Sequence, residues 1–151
     1  MSTHRTLFSA LLFCAGGLAA YGQSSPLLVE IKLVQTVVKS NEVFSVPTVI
    51  RNTGSDEQVF GVWNCGYAQW DTDNPSVQRG GEDCLKNTYR KVILKPGQEG
   101  HWIVPVIVSL QAGSNAQESI TFRLGFHAAA YGTVPEIPQI WSNAVTVSVR
   151  K

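Results

Sequence analysis

Histidine, cysteine, charge and long apolar runs are all scarce in this sequence, and each scarcity removes a class of function. Of three cysteines and three histidines, Cys14 and His4 fall in an N-terminal stretch with the features of a cleaved leader. That leaves Cys65, Cys84, His101 and His127 for chemistry. There is no His-Glu-x-x-His pair for zinc, no Gly-x-Ser-x-Gly nucleophile turn and no glycine loop to cradle a phosphate. A Cys-His or Ser-His-Asp centre would have to use His101 or His127. His127 stands on the polar parity of its strand, where a solvated histidine is expected. His101 lies beside Trp102 in an apolar strand, where a partly buried one is expected. The sequence thus gives no enzyme and calls for no cofactor. Lys and Arg number 12 against 11 Asp and Glu, with charged residues only 15% of the whole. Without a basic stripe or an acidic run, neither nucleic acid nor an anionic membrane is an expected partner.

What is present begins with a leader. His4 and Arg5 precede Leu7 to Ala20, which is almost wholly apolar or small, and Ala20 and Gly22 occupy the minus three and minus one positions of a cleavage site after Gly22. The run is shorter than the ~20 residues a spanning helix needs, which weighs against the alternative of a membrane anchor. Cys14 as a lipid acceptor would need a small residue before it, and Phe13 stands there. Residues 1–22 therefore read as a signal peptide and 23–151 as one domain, secreted or periplasmic, with no membrane insertion once the leader is removed. The leader carries one of the 12 basic residues, Arg5, and none of the 11 acids, so the mature chain is neutral.

Export places Cys65 and Cys84 where thiols oxidise, and a disulfide is expected between them in preference to a metal pair or a nucleophile. Closing a loop of that length stabilises a fold by roughly 3 kcal/mol, less any strain. Inside it, Asp71-Thr72-Asp73-Asn74 starts like a calcium loop. Pro75 stands at the fifth position, however, and Ser76 replaces the glycine that the sharp turn needs, so no metal site is expected.

The rest of the mature chain alternates. Val29, Ile31 and Leu33 alternate with Glu30 and Lys32, and Phe44, Val46, Thr48 and Ile50 share one face of Val43 to Ile50, the period-two pattern of half-buried strands. Pro47 lacks a donor, so that strand should have an unpaired side or a bulge there. Gln58 to Trp63 and Val92 to Leu94 follow. Gly100 to Val108 is apolar on both parities and reads as a central strand, or one covered on both faces. Ile120 to His127 is the clearest amphipathic strand, and Val145 to Val149 is the last. Asn52 to Asp56 is a turn by composition, and Pro96-Gly97 suits a type II turn with positive φ at the glycine. Ala128 to Gln139, with Gly132, Pro135 and Pro138, cannot be one long regular element. About seven strands and no helix predict an all-β, two-sheet sandwich of immunoglobulin-like type, with a barrel as the alternative.

The run Asn52-Thr53-Gly54 after an alternating strand, followed by Leu94-Lys95-Pro96-Gly97-Gln98 and another strand, resembles bacterial immunoglobulin-like domains, among them the intracellular proteinase inhibitor (BsuPI) family. The resemblance spans roughly Glu42 to Val108. It implies the sandwich fold and raises protease inhibition as one option. An exported, cystine-bearing chain departs from an intracellular inhibitor, and no functional residue carries over.

The aromatics of the irregular stretches are the remaining signal. Tyr67 and Trp70 lie in the cystine loop, and Tyr131 and Trp141 flank the other long irregular segment. If exposed, they form an anchor patch for a protein partner. If buried, they form a satellite core beneath their own loops. Arg123 could stack on a tryptophan. The expected function is a non-catalytic binding module that recognises a protein through loops or a sheet edge. The alternatives are a structural part of a larger envelope assembly and a protease inhibitor.

Overall fold

The computed structural model describes residues 25–64, 69–81, 88–110, 113 and 117–151. Within them the chain forms twelve strands: β1 (Leu27–Ile31), β2 (Val37–Lys39), β3 (Val43–Asn52), β4 (Gln58–Trp63), β5 (Trp70–Thr72), β6 (Val77–Arg79), β7 (Tyr89–Leu94), β8 (Glu99–Val108), β9 (Gln117–Phe122), β10 (Leu124–Ala128), β11 (Ile137–Trp141) and β12 (Val145–Arg150). One layer is the sheet β1-β3-β8-β6, and the other is built from the pair β4-β7 and the sheets β5-β10-β11 and β2-β12-β9. The result is the expected immunoglobulin-like sandwich.

Alternation fixes which side of each strand meets the core. On β3, Phe44, Val46, Thr48, Ile50 and Asn52 point inward, and on β8 Val104, Val106 and Val108 do the same. The two layers meet through aromatic contacts. Phe44 packs edge-on against Phe122 at 6.5 Å, and Phe60 lies 6.4 Å from Trp102 and 5.4 Å from Phe126. Each fully buried Val, Ile, Leu or Phe of this core contributes about 1.5–3 kcal/mol relative to exposure.

The seven expected strands are all present, and the differences have local causes. The run from Ile120 to His127 is two strands, because the chain changes sheet at Arg123: β9 pairs with β12, and β10 with β5 and β11. An unbroken period of two hides such a change, since Phe122, Leu124 and Phe126 stay inward across it. The strands β2, β5 and β6 are three residues long, too short for a pattern. Leu33 lies beyond the end of β1.

Gly100 to Val108 is central, between β3 and β6, but it is not covered on both faces. Ile103 is 70% exposed. Pro47 fits the β3 ladder without a bulge. Its carbonyl accepts from Lys32 N–H, so its missing donor faces the side where β1 has already ended at Ile31. The Pro96-Gly97 turn is as expected: Gln98 N–H donates to Lys95 C=O at 2.9 Å, and Gly97 has a φ of 76°.

Candidate functional site

The described members of the aromatic set singled out from the sequence, Trp70, Tyr131 and Trp141, do not form one patch. Trp70 is 3% exposed and packs against Phe126 at 5.1 Å. Of the two alternatives for this position, exposed anchor or buried ring, Trp70 takes the buried one and belongs to the core. It opens β5, whose pairing with β10 sets Trp70 opposite Phe126 and turns its ring inward. Tyr67, Cys65 and Cys84 lie outside the described residues, as does the leader.

Tyr131 is 53% exposed and joins two aromatics that the sequence did not single out. Its ring lies 4.1 Å from that of Tyr89 and 5.7 Å from that of Trp63, and Trp63 meets Tyr89 at 5.4 Å. The register explains the cluster: Trp63 and Tyr89 are cross-strand partners on β4 and β7, both on the face opposite Phe60 and Val62. The Tyr89 ring lies over Gly61, where any Cβ would overlap it. The only sequence signal available was the glycine in an otherwise apolar strand, which marks a close approach.

Trp141 sits elsewhere, on the outer face of β5-β10-β11. Its ring covers Gly125, where a Cβ would come within 2.8 Å, and the Arg123 guanidinium stands 5.4 Å from its centroid, the stacking the sequence raised. Arg123 is held in turn by Asp73, through Nε at 2.7 Å and its backbone N–H at 2.7 Å. Burial acts to raise the Asp73 pKa, but the side-chain hydrogen bond, the backbone hydrogen bond and the charge of Arg123 together outweigh it and lower the pKa. On the same face Asp71 Oδ2 accepts from Gln139 Nε2 at 2.8 Å and lies 3.3 Å from His127 Nδ1. The ionisable side chains of this surface lie against one another, Arg123 with Asp73 and His127 with Asp71. His127 is half-buried beside Asp71, where the sequence reading had a solvated side chain.

A cleft of about 330 Å³ opens at the side of the sandwich, between the β4-β7 pair and β8. Val62, Trp63 and Asn64 from the end of β4, Trp70, Arg90 of β7, and His101 to Pro105 of β8 line it. Trp102 folds back over Gly100, where a Cβ would strike its ring, and is half-buried. Among the described residues Arg90 is exposed and makes no ion pair, and none of those that line the cleft is a carboxylate. His101 is on the outward parity of β8, exposed, with Nε2 3.7 Å from Glu99; the partly buried histidine expected from its apolar neighbours is corrected. Among the described residues no group of three His, Cys, Asp or Glu could hold a metal ion.

No family model and no curated protein sequence matches the chain. Among solved structures it is similar to native alpha-2-macroglobulin of E. coli, at 13% identity and a TM-score of 0.46 over 84% of this chain and 7% of that one. It is also similar to the E. coli protein spanning domain MG7 to the C-terminus, at 12% identity and a TM-score of 0.47 over 83% of this chain and 16% of that one. A third likeness is to Salmonella alpha-2-macroglobulin reacted with methylamine, at 12% identity and a TM-score of 0.48 over 83% of this chain and 7% of that one. The chain spans between 7% and 16% of the length of these proteins. At such identities the likeness concerns the fold alone.

Proposed function

We propose that this chain is an exported, non-catalytic binding module that recognises a protein partner at the cleft between the β4-β7 pair and β8. The observation that carries the reading is Arg90, a cation without an acidic partner among the described residues, in a cleft walled by aromatic rings. Tryptophan and arginine are the side chains most enriched at interface hot spots, where both large contact area and charge-assisted hydrogen bonds are available. A non-catalytic role is supported by the histidines. His101 faces Glu99 and His127 faces Asp71, and among the described residues neither pair is hydrogen-bonded to a serine, threonine or cysteine. The leader-like residues 1–22 support export, and with it a Cys65–Cys84 disulfide.

A second reading is favoured by the outer face of β1-β3-β8-β6. Val43 is 58% and Ile103 70% exposed there, with Pro47, Val49 and Ile107 half-buried beside them. A broad apolar face of this kind suits a structural part of a larger assembly. Protease inhibition, raised by the turn resemblance alone, is one form the first reading can take.

Pull-down from envelope extract with the full chain, followed by cross-linking, tests the proposal. A soluble partner in stoichiometric amount, cross-linked next to Trp63 or Trp102, is the expected result. Recovery only in large complexes cross-linked near Val43 transfers the function to the outer face. Absence of any saturable protein partner overturns both.

A further inference from the structure

The outer face of β1-β3-β8-β6 carries charge at one end and apolar side chains toward the other, and its two long strands match row by row. Arg51 of β3 is in register with Glu99 of β8, Pro47 with Ile103, and Val43 with Ile107. All six lie on the outward parity of their strands. Arg51 is ion-paired with Glu99 and lies 3.7 Å from Glu30 of β1. Each row therefore holds two side chains that suit each other: opposite charges at one end, and apolar groups in the middle and at the other end.

Beside Pro47 the face is hollow. A cavity of about 420 Å³ opens between β1 and β3, lined by Glu30, Ile31, Lys32, Pro47, Val49 and Asn143. Its β1 side is held in place by Asn143, whose side chain donates to Ile31 C=O at 3.1 Å and accepts from Ile31 N–H at 2.8 Å, as a neighbouring strand would. On the next strand, level with Pro47, Ile103 stands 70% exposed. A projecting apolar side chain and a hollow thus share one row, on opposite sides of the line between β3 and β8.

We infer that this face binds a second copy of the chain about a two-fold axis running along the strands midway between β3 and β8, with Ile103 of each copy seated at the hollow beside Pro47 of the other. Such an axis exchanges β3 with β8, so each residue of one strand meets its own register partner in the second copy. Arg51 then lies over Glu99 of the second copy, Val43 over Ile107, and Ile103 over Pro47 at the rim of the hollow. Two sheets packed face to face in this way keep their strands within about 30° of each other. A two-fold axis across the strands fails, because it carries Arg51 onto Val43 and buries charge against an apolar side chain. Ten residues on each long strand, at a rise of ~3.4 Å, and four strands ~4.8 Å apart give a face of roughly 500–600 Å² in plan. Side-chain relief brings that toward the ~800 Å² per partner of a standard interface, which suits a reversible dimer. The dimer rests on the outer-face reading of the function and is independent of the cleft.

Sedimentation equilibrium of the protein as isolated from cells, over a range of concentrations, should show a reversible dimer. Ile103→Asp puts a charge at the projecting position, and Val43→Asp does so on the same face but away from the cleft. Val34→Asp is the control, at a side chain more exposed than either that lies between β1 and β2 and off this face. Far-ultraviolet circular dichroism and the unfolding midpoint establish that each variant folds. The dissociation constant should rise about tenfold or more in Ile103→Asp and in Val43→Asp and stay unchanged in Val34→Asp. The double variant Arg51→Glu/Glu99→Arg keeps opposite charges facing each other between identical copies and should dimerise with itself. Mixed with wild type, it sets like charges together at both contacts, so mixed dimers, counted by native mass spectrometry, should fall about tenfold or more below their statistical share. A wild type that stays monomeric at millimolar concentration, an unaltered dimer in Ile103→Asp and Val43→Asp, or equal weakening by Val34→Asp overturns the inference. Mixed dimers in full statistical share overturn the axis along the strands, and the inference with it. If the purified chain is monomeric while envelope extract still yields large complexes cross-linked near Val43, a second copy is the wrong occupant and the outer-face reading stands.

Discussion

The side chain of Asn52 donates to the carbonyl of Leu94 at 2.9 Å across 42 positions of sequence. The same amide donates to Asp56 C=O at 2.7 Å, and its oxygen accepts from Gly54 N–H at 2.9 Å. Its backbone carbonyl takes Gly97 N–H at 2.9 Å. Asn52 is 0% exposed, so one buried amide holds the turn after β3 against the end of β7 and the turn that follows it. These are the two turn sequences on which the family resemblance rests, and they touch.

Asn52→Ala removes all three side-chain hydrogen bonds and leaves their partners without a replacement. Each buried group left unsatisfied costs about 1–3 kcal/mol. The expected loss in urea unfolding is about 3 kcal/mol, and a loss under about 1 kcal/mol would mean that water replaces the amide.

Trp70→Ala should behave as a core truncation. With the ring against Phe126, the expected loss is about 3–5 kcal/mol. Tyr131→Ala, at a ring that is half exposed, should cost far less. Equal losses at the two sites would contradict this placement.

Tyr89 carries a buried hydroxyl with no hydrogen-bond partner among the described residues. Removing a polar atom that is already desolvated and unpaired is close to neutral or stabilising. Tyr89→Phe is expected to keep the unfolding free energy within about 0.5 kcal/mol or to raise it, with the Trp63 and Tyr131 contacts intact. A loss above about 1 kcal/mol would show that the hydroxyl has a partner in solution.

Asp73 sets a pH dependence with a definite sign. Its pKa is lowered on folding by the contacts with Arg123, so the stability it contributes is complete above the unfolded value and is lost as pH falls through the lower, folded one. Asp73→Asn should lower stability at neutral pH by about 1 kcal/mol or less, because the pair is solvent-washed. The gap between variant and wild type should close below pH 3.8, the ordinary aspartate value. A gap that persists in strong acid would assign the effect to packing.

Period-two alternation was enough to show the sandwich, because each long strand has one buried face. Phe44, Val46 and Ile50 announce their side without help from any neighbour. The turn at Pro96-Gly97 was equally legible, since only the glycine accepts the φ required. Pairing between distant strands was not. Trp63 and Tyr89 meet because β4 and β7 are in register, and nothing local to either residue states that register. Trp70 misled for a related reason: its surroundings in sequence are turn formers, while its surroundings in space are set by β10. The charge that matters in the cleft, Arg90, sits in a polar stretch that looked like an ordinary solvated segment. Its significance depends on which side chains the fold gathers around it, and no neighbour in sequence states that.

Pro105 closes the β6 ladder by accepting one hydrogen bond and offering none in return. At the far end of the same edge, the turn at Pro96-Gly97 carries the chain away to β7. The stretch of β8 that pairs with no strand of the described residues on this side is therefore bounded at both ends. Open sheet edges are hazardous because strands stack on them without limit, each new strand offering the next a fresh edge of the same length. A bounded edge this short gives a growing fibril too little backbone to grip.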